Sequence, residues 1–399
     1  NKKQGYLTRH STHSLPPAIM GCFSSKASTY KVTNDVDFVR NIRYKCPELA
    51  ALWTQSDPHE WDLIEWDRRG TALARVLKLR LTNIGLADLP SDIVNLTALR
   101  ELNVSGNNLA SLPSSIGQLT ELRKFVLCER DDNNFALTAL PDSITRCAKL
   151  EELILGASSI VSLPASIGNL KELRHLSVRG SKHLELLPDS IVQCSALTEI
   201  NIAFTSIKSL PESIGDLRKL EILCAASTKL SSLPVSISNC PLKLLAIEGC
   251  EFETFPEEIV EIITLERLWA HNNRIMKLPE SIGNMYKLEE LTLQGNRLAS
   301  VPVGLASIDA SVVVDLTGNP KLKFVPSEVM SLDSVKLDKG VTKGYTTDQR
   351  INQAEDLADR AGDLAARKAK FAKEATKAVV KKAAGEASSM ASILMGKKK

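Results

Sequence analysis

Aromatic residues are scarce in this 399-residue chain, at 5% of the total. With so few large rings, a core of any size has to be assembled mainly from Leu and Ile. Long apolar runs are also missing. Nothing approaches the ~18 consecutive apolar residues of a membrane-spanning helix, and the first residues lack the apolar stretch of a secretory signal. The eight cysteines form no C-x-x-C pair and no framework of a small disulfide domain, which points to a reducing, intracellular setting. The phosphate-cradling G-x-x-x-x-G-K-[ST], a G-x-G-x-x-G after a strand and the zinc-binding H-E-x-x-H are all absent. The six histidines show no metal-ligand spacing. No cofactor, metal or small-molecule substrate is therefore expected, no residue is assigned a catalytic role, and the expectation is a binding protein rather than an enzyme.

Charge of one sign is lacking overall, since the net value is only +3, but its distribution is uneven. From Ala366 onward there are ten Lys or Arg against two Asp or Glu, leaving 40 basic against 45 acidic residues in the rest of the chain. The body therefore has no charge excess suited to nucleic acid, and no nucleic-acid partner is expected.

What the sequence does have is a period. A proline preceded by an apolar residue recurs at Pro90, Pro113, Pro141, Pro164, Pro188, Pro211, Pro234, Pro256, Pro279, Pro302 and Pro326, at steps of 22 to 24 residues with one step of 28. Amphipathic helices would not carry a proline at such intervals. Around each proline runs one pattern, clearest from Leu99 to Gly117: Leu99, Leu102 and Val104, then Asn107, Leu109, Leu112, Pro113 and Ile116. In L-x-x-L-x-L a short strand turns alternate side chains inward. The ninth residue turns the chain and offers hydrogen bonds to neighbouring backbone; its column reads Asn107, Ser158, Ser181, Thr205, Thr228, Cys250, Asn273, Asn296 and Asn319. One such unit cannot bury its own apolar face, so the units must stack. The long step places an insertion near Cys128 to Asn134, expected as a loop. Cys147, Cys194 and Cys240 stand where other copies have Leu119, Leu170 or Leu217, as small buried hydrophobes.

The Leu-Pro-x-Ser-Ile-Gly copies at 163–168, 210–215 and 278–283, with the 23-residue spacing, resemble the Ras-group branch of leucine-rich-repeat proteins, which includes plant intracellular and animal scaffold members. The resemblance implies an α/β solenoid with one strand per repeat in a curved parallel sheet. It further implies a concave face that docks a signalling protein, a small GTPase among the candidates. Four segments are expected: a leader and acylation segment at 1–32, a helical N-terminal cap at 33–74, about 11 repeats at 75–337, and a linker with a basic Ala/Lys-rich helix at 338–399. In the cap, Val36, Val39 and Ile42 follow a Thr33-Asn34-Asp35 helix start, Pro47 opens a second helix, and Trp53, Trp61 and Trp66 supply packing. Strand centres are expected near Val104, Leu127, Leu155, Val178, Ile202, Ala225, Ile247, Ala270, Leu293 and Leu316.

Outward strand positions are the third, fifth, seventh and eighth of L-x-x-L-x-L-x-x-N. In the middle repeats they are unusually apolar: Phe204, Ile222, Cys224, Ala226, Leu244 and Ala246. His175 and Arg179 frame them on one side, and Arg267, Trp269 and His271 on the other. His175 and His271 lie four repeats apart, roughly 19 Å at ~4.8 Å per strand, too far to share a metal. Small residues flanked by Trp, Phe and Arg have the composition of an interface hot spot; the alternative is that Trp269 only covers its own strand.

Met20-Gly21-Cys22-Phe23-Ser24-Ser25 fits the N-myristoylation pattern once Met20 is removed, and Cys22 beside Gly21 is the arrangement of dually acylated proteins. The residues before Met20 resemble translated leader. At the other end Lys368, Lys370, Lys373, Lys377, Lys381 and Lys382 lie on a thin amphipathic pattern. They read either as a solvated helix or as contacts to anionic lipid. The expected protein is thus a scaffold or adaptor of intracellular signalling on the cytoplasmic face of a membrane. The alternative is a structural subunit of a cytoskeletal or membrane-associated assembly.

Overall fold

The computed structural model describes residues 35–45, 54–55, 57–58, 63–67, 74–128 and 136–344. Gly21, Cys22, Trp53, Trp61, the helix opened by Pro47, most of the insertion and the basic tail lie outside the described residues.

The chain enters through helix α1 (Asp35–Lys45), whose first turn carries Asp35 and Asp37 against the positive end of the helix dipole. Val36, Phe38, Val39 and Ile42 are buried. Asp35 ties the helix to the sheet, because its carboxylate accepts from Arg75 Nε at 3.1 Å and from the Val76 amide at 2.8 Å. Strand β1 (Ile64–Trp66) then pairs antiparallel with β2 (Val76–Arg80), burying Trp66. Among the described residues the N-terminal cap holds helix α1 and strand β1 of a hairpin, an arm that the helical expectation did not include.

From β2 onward each repeat adds one strand: β3 (Glu101–Asn103), β4 (Lys124–Cys128), β5 (Glu152–Leu155), β6 (His175–Ser177), β7 (Glu199–Asn201), β8 (Ile222–Cys224), β9 (Leu244–Ala246), β10 (Arg267–Trp269), β11 (Glu290–Thr292) and β12 (Val313–Asp315). Beyond them β13 (Phe324–Val325) and the single-turn helix α2 (Ser327–Met330) lead into β14 (Val335–Lys336), and β15 (Thr342–Lys343) pairs with β13. Among the described residues the main sheet has 13 strands in chain order, parallel after the first pair. Among the described residues no helix is long and apolar enough to cross a membrane.

Most strand centres fall two residues before the expected ones. Leu102, Leu176, Ile200, Leu223, Leu245, Leu268 and Leu291 are central, while Val104, Val178, Ile202, Ala225, Ile247, Ala270 and Leu293 follow the strand. These later residues still donate to the next coil, as in Val104 N to Val126 O and Ile202 N to Cys224 O. The chain is already leaving the extended conformation there, because two residues on it takes a left-handed turn.

Two features lock the stack. The ninth-place column is buried throughout, and Asn296 shows its geometry: Nδ2 donates to Ala270 O and to Leu293 O, both at 2.9 Å, and Oδ1 accepts from Ile275 N at 3.0 Å. Thr205 and Thr228 donate to Ile202 O and Ala225 O, Thr228 also meets Cys250 Sγ at 3.2 Å, and Ser158 and Ser181 bond each other at 3.0 Å. On the convex side most of the recurring prolines open a short 3₁₀ turn such as Ser114–Gln118, whose Ile116 is buried. The following glycine is required by contact: a Cβ on Gly117 would sit 2.1 Å from Ser143 O, and one on Gly215 would sit 2.1 Å from Ser236 O.

Candidate binding face

Strands β6 to β10 carry the residues singled out on the concave side, and their register brings them together. The third column runs His175, Glu199, Ile222, Leu244, Arg267 across paired strands, and the fifth runs Asn201, Cys224, Ala246, Trp269. His175 and Arg267 are exposed, while Ile222, Cys224, Leu244 and Trp269 are half-buried. Two expected members differ. Ala226 and Ala246 are 7% and 2% exposed, so they form the floor of the face rather than its contact surface. Both are buried without joining the main hydrophobic core, which lies on the other side of the sheet. Their side chains are too short to rise above the neighbouring columns.

The polar edges of the larger residues are anchored. Trp269 Nε1 donates to Glu290 Oε2 at 3.1 Å, and His271 Nδ1 lies 3.1 Å from Thr292 Oγ1. The indole is thus oriented by the next strand. At the opposite rim the Arg179 guanidinium stacks over the Phe204 ring, 4.3 Å from its centroid, an arrangement worth about 0.5–1 kcal/mol at an exposed site. Burial, reinforced by the negative charges of Glu199 and Glu248, pushes the Cys224 thiol up to about 11. It stays protonated at neutral pH and serves as apolar surface.

Sequence reading missed two things here. The eighth column is left-handed in coil after coil: φ is +59° at Phe204, +54° at Ser227, +48° at Ala157 and +55° at Asn272, with glycines at 106, 180, 249, 295 and 318. The run of Gly and Asn in that column was the available signal. A Phe in this conformation costs roughly 1–2 kcal/mol relative to Gly, and Phe204 remains 44% exposed, so burial does not offset that cost. The second is Glu248, in the seventh column. Its carboxylate makes no hydrogen bond, and Oε2 is buried without a partner. Some carboxylates on neighbouring coils are paired, as Glu152 is with Lys124 and Glu221 with Lys243. Among the described residues no group of three or more His, Cys, Asp or Glu is placed to hold a metal ion.

Comparison with known proteins agrees with this architecture. The Leucine Rich Repeat family pattern matches residues 98–119. No curated protein matches the sequence significantly. Among solved structures, the plant peptide hormone receptor RGFR1 in complex with RGF2 is similar at a TM-score of 0.55 and 23% identity, covering 70% of this chain and 52% of that one. A TDR receptor gives 0.54 and 23%, covering 68% and 52%, so the chain spans about half the length of either receptor structure. The Leptospira interrogans LRR protein LIC12759 gives 0.44 and 22%, covering 70% and 93%. The fold is a leucine-rich-repeat solenoid.

Proposed function

We propose that this protein is an interaction scaffold of intracellular signalling. It binds a protein partner, such as a small GTPase, through the concave face of β6 to β10. The observation that carries this reading is Phe204, an exposed aromatic kept in a left-handed backbone conformation beside a floor of small residues and opposite Trp269. Strain that the Arg179 stacking offsets only in part marks a residue kept for contact. Acylation at Gly21 and Cys22, with the Lys368 to Lys382 segment on anionic lipid, would hold the scaffold at the cytoplasmic face of a membrane. One myristoyl chain binds only marginally, so the second signal is needed.

The test has two arms. Trp269→Ala should weaken capture of the partner by about 2 kcal/mol or more while leaving the melting curve in place; unchanged affinity would move the interface off this face. For the anchor, the chain is expressed from Met20 and fractionated. Gly21→Ala should release it from membranes fully, Cys22→Ser largely, and neutralisation of the tail lysines in part. Membrane retention of Gly21→Ala equal to wild type would replace the tethered scaffold with a subunit of a larger assembly.

A further inference from the structure

We infer that the concave face takes an arginine side chain of its protein partner beside Trp269, at His271 and between Glu248 and Gln294. This rests on the reading of the concave sheet as the binding face, and it places a charged contact at the C-terminal side of that face. Glu248, His271 and Gln294 hold the seventh place in three successive coils, just after strands β9, β10 and β11. Two buried oxygens here, Glu248 Oε2 and Gln294 Oε1, make no hydrogen bond. His271 stands between them, with its Nδ1 3.1 Å from Thr292 Oγ1. All three residues are half-buried, so they belong to the face and not to the core.

Negative charge is in excess around this group. The third, fifth and seventh places of the β9 to β12 coils carry Glu248, Glu290 and Asp315 against Arg267 alone. At the N-terminal side of the sheet the outward carboxylates are answered within the fold, Glu101 by Arg80 and Glu152 by Lys124. In the C-terminal patch Glu290 accepts from Trp269 Nε1 and Asp315 from Thr317, which leaves Glu248 without a bond. A partner resting on Trp269 strips more water from that carboxylate. Covering a carboxylate without a donor is costly, so the partner has to bring a cation to it. Gln294 decides which cation. Its place lies two strand spacings from that of Glu248, roughly 9.6 Å at ~4.8 Å each, with the flat imidazole midway. A guanidinium is planar and donates from opposite edges, so it serves an acceptor on either side of the ring. An ammonium donates from a single point, which favours arginine over lysine.

The experiment pans a displayed library of random peptides against the full chain and takes as probe the best binder that is lost on Trp269→Ala. Fluorescence anisotropy then measures the probe on wild type, Glu248→Gln and Gln294→Met, with each of its arginines replaced in turn by lysine and by norleucine. One arginine should lose about tenfold or more to norleucine on wild type, and about threefold or less on Glu248→Gln. Its lysine version should fall between the two, and Gln294→Met should remove the advantage of arginine over lysine. Neither substitution should lower the melting temperature, because neither oxygen is bonded in the free protein. A drop in either variant would place the missing donor inside the fold and overturn the inference. A probe that lacks arginine, or whose arginines cost the same on wild type and Glu248→Gln, overturns it too and leaves the binding face standing. Binders that all ignore Trp269→Ala overturn both, and the absence of any binder overturns the arginine site.

Discussion

Asn296 offers the sharpest test of what holds the coils in register. Replacing it with Ala removes two donated bonds, to Ala270 O and Leu293 O, and one accepted bond, from Ile275 N. All are buried, and the side chain itself is only 3% exposed, so water does not replace them without opening the stack. A buried backbone group left unpaired costs about 1–3 kcal/mol, which places Asn296→Ala at roughly 3–6 kcal/mol after some relaxation. The chain supplies its own control. Thr228 holds the same place with a bond to Ala225 O at 2.9 Å, a long one from Leu230 N at 3.4 Å and a contact to Cys250 Sγ at 3.2 Å, none of them to the backbone of the preceding coil. Asn296→Thr should therefore keep one bond of three and lose about two-thirds as much. Urea unfolding followed by circular dichroism measures all three proteins. Because each coil is stable only against its neighbours, the slope of the transition should also fall in the Ala variant if the C-terminal coils melt separately. A cost below ~1 kcal/mol for Asn296→Ala, or equal costs for Ala and Thr, would refute the view that this column ties coil to coil.

Phe204→Asn places a residue suited to left-handed backbone at φ +59°, as Asn83 and Asn272 already are in that column. It should raise stability by up to about 1 kcal/mol while weakening partner binding, checked by paired melting and binding curves. Burial raises the thiols of Cys147 to about 12 and of Cys194 and Cys240 to about 11, from an ordinary 9.0. Their folded values are the higher ones, so their stability contribution is complete below pH 9 and is lost as pH climbs from about 9 toward 12. In a chain with Cys22 and Cys46 replaced by Ser, a disulfide reagent at pH 8 should label these thiols only as the protein unfolds.

The solenoid was legible because its signals repeat: a proline every 22 to 24 residues and a Leu ladder at fixed offsets identify the coil even where single copies are degraded. The ninth-place column was legible for the same reason, and Ser, Thr and Cys in it keep some of its hydrogen bonding. What repetition did not mark was harder to see. Strand β1 has three residues and no counterpart elsewhere, and its Ile64 and Trp66 read equally well as helix packing. The strand centres were misplaced because an inward Leu or Val looks alike whether it lies within a strand or just past it. On the binding face, apolar letters at outward positions were taken as exposed, yet alanine between larger neighbours sinks to the floor. Glu248 gave no sign in the sequence, since its isolation depends on which coils place a cation beside it.

The way the sheet passes the long repeat has a use in protein engineering. Lys124, Phe125 and Val126 pair with Glu152, Leu153 and Ile154 in the ordinary register, and the ladder shifts only beyond Val126. By Leu137 the chain is buried again, and the next 3₁₀ turn, Asp142–Arg146, takes its usual place. The extra residues of this coil thus fall between a strand and a 3₁₀ turn that follow the pattern of the other coils. A fluorescent or affinity module spliced at this point would ride on the solenoid without disturbing strands β6 to β10, giving a reporter beside the binding face in a protein whose termini need not be touched.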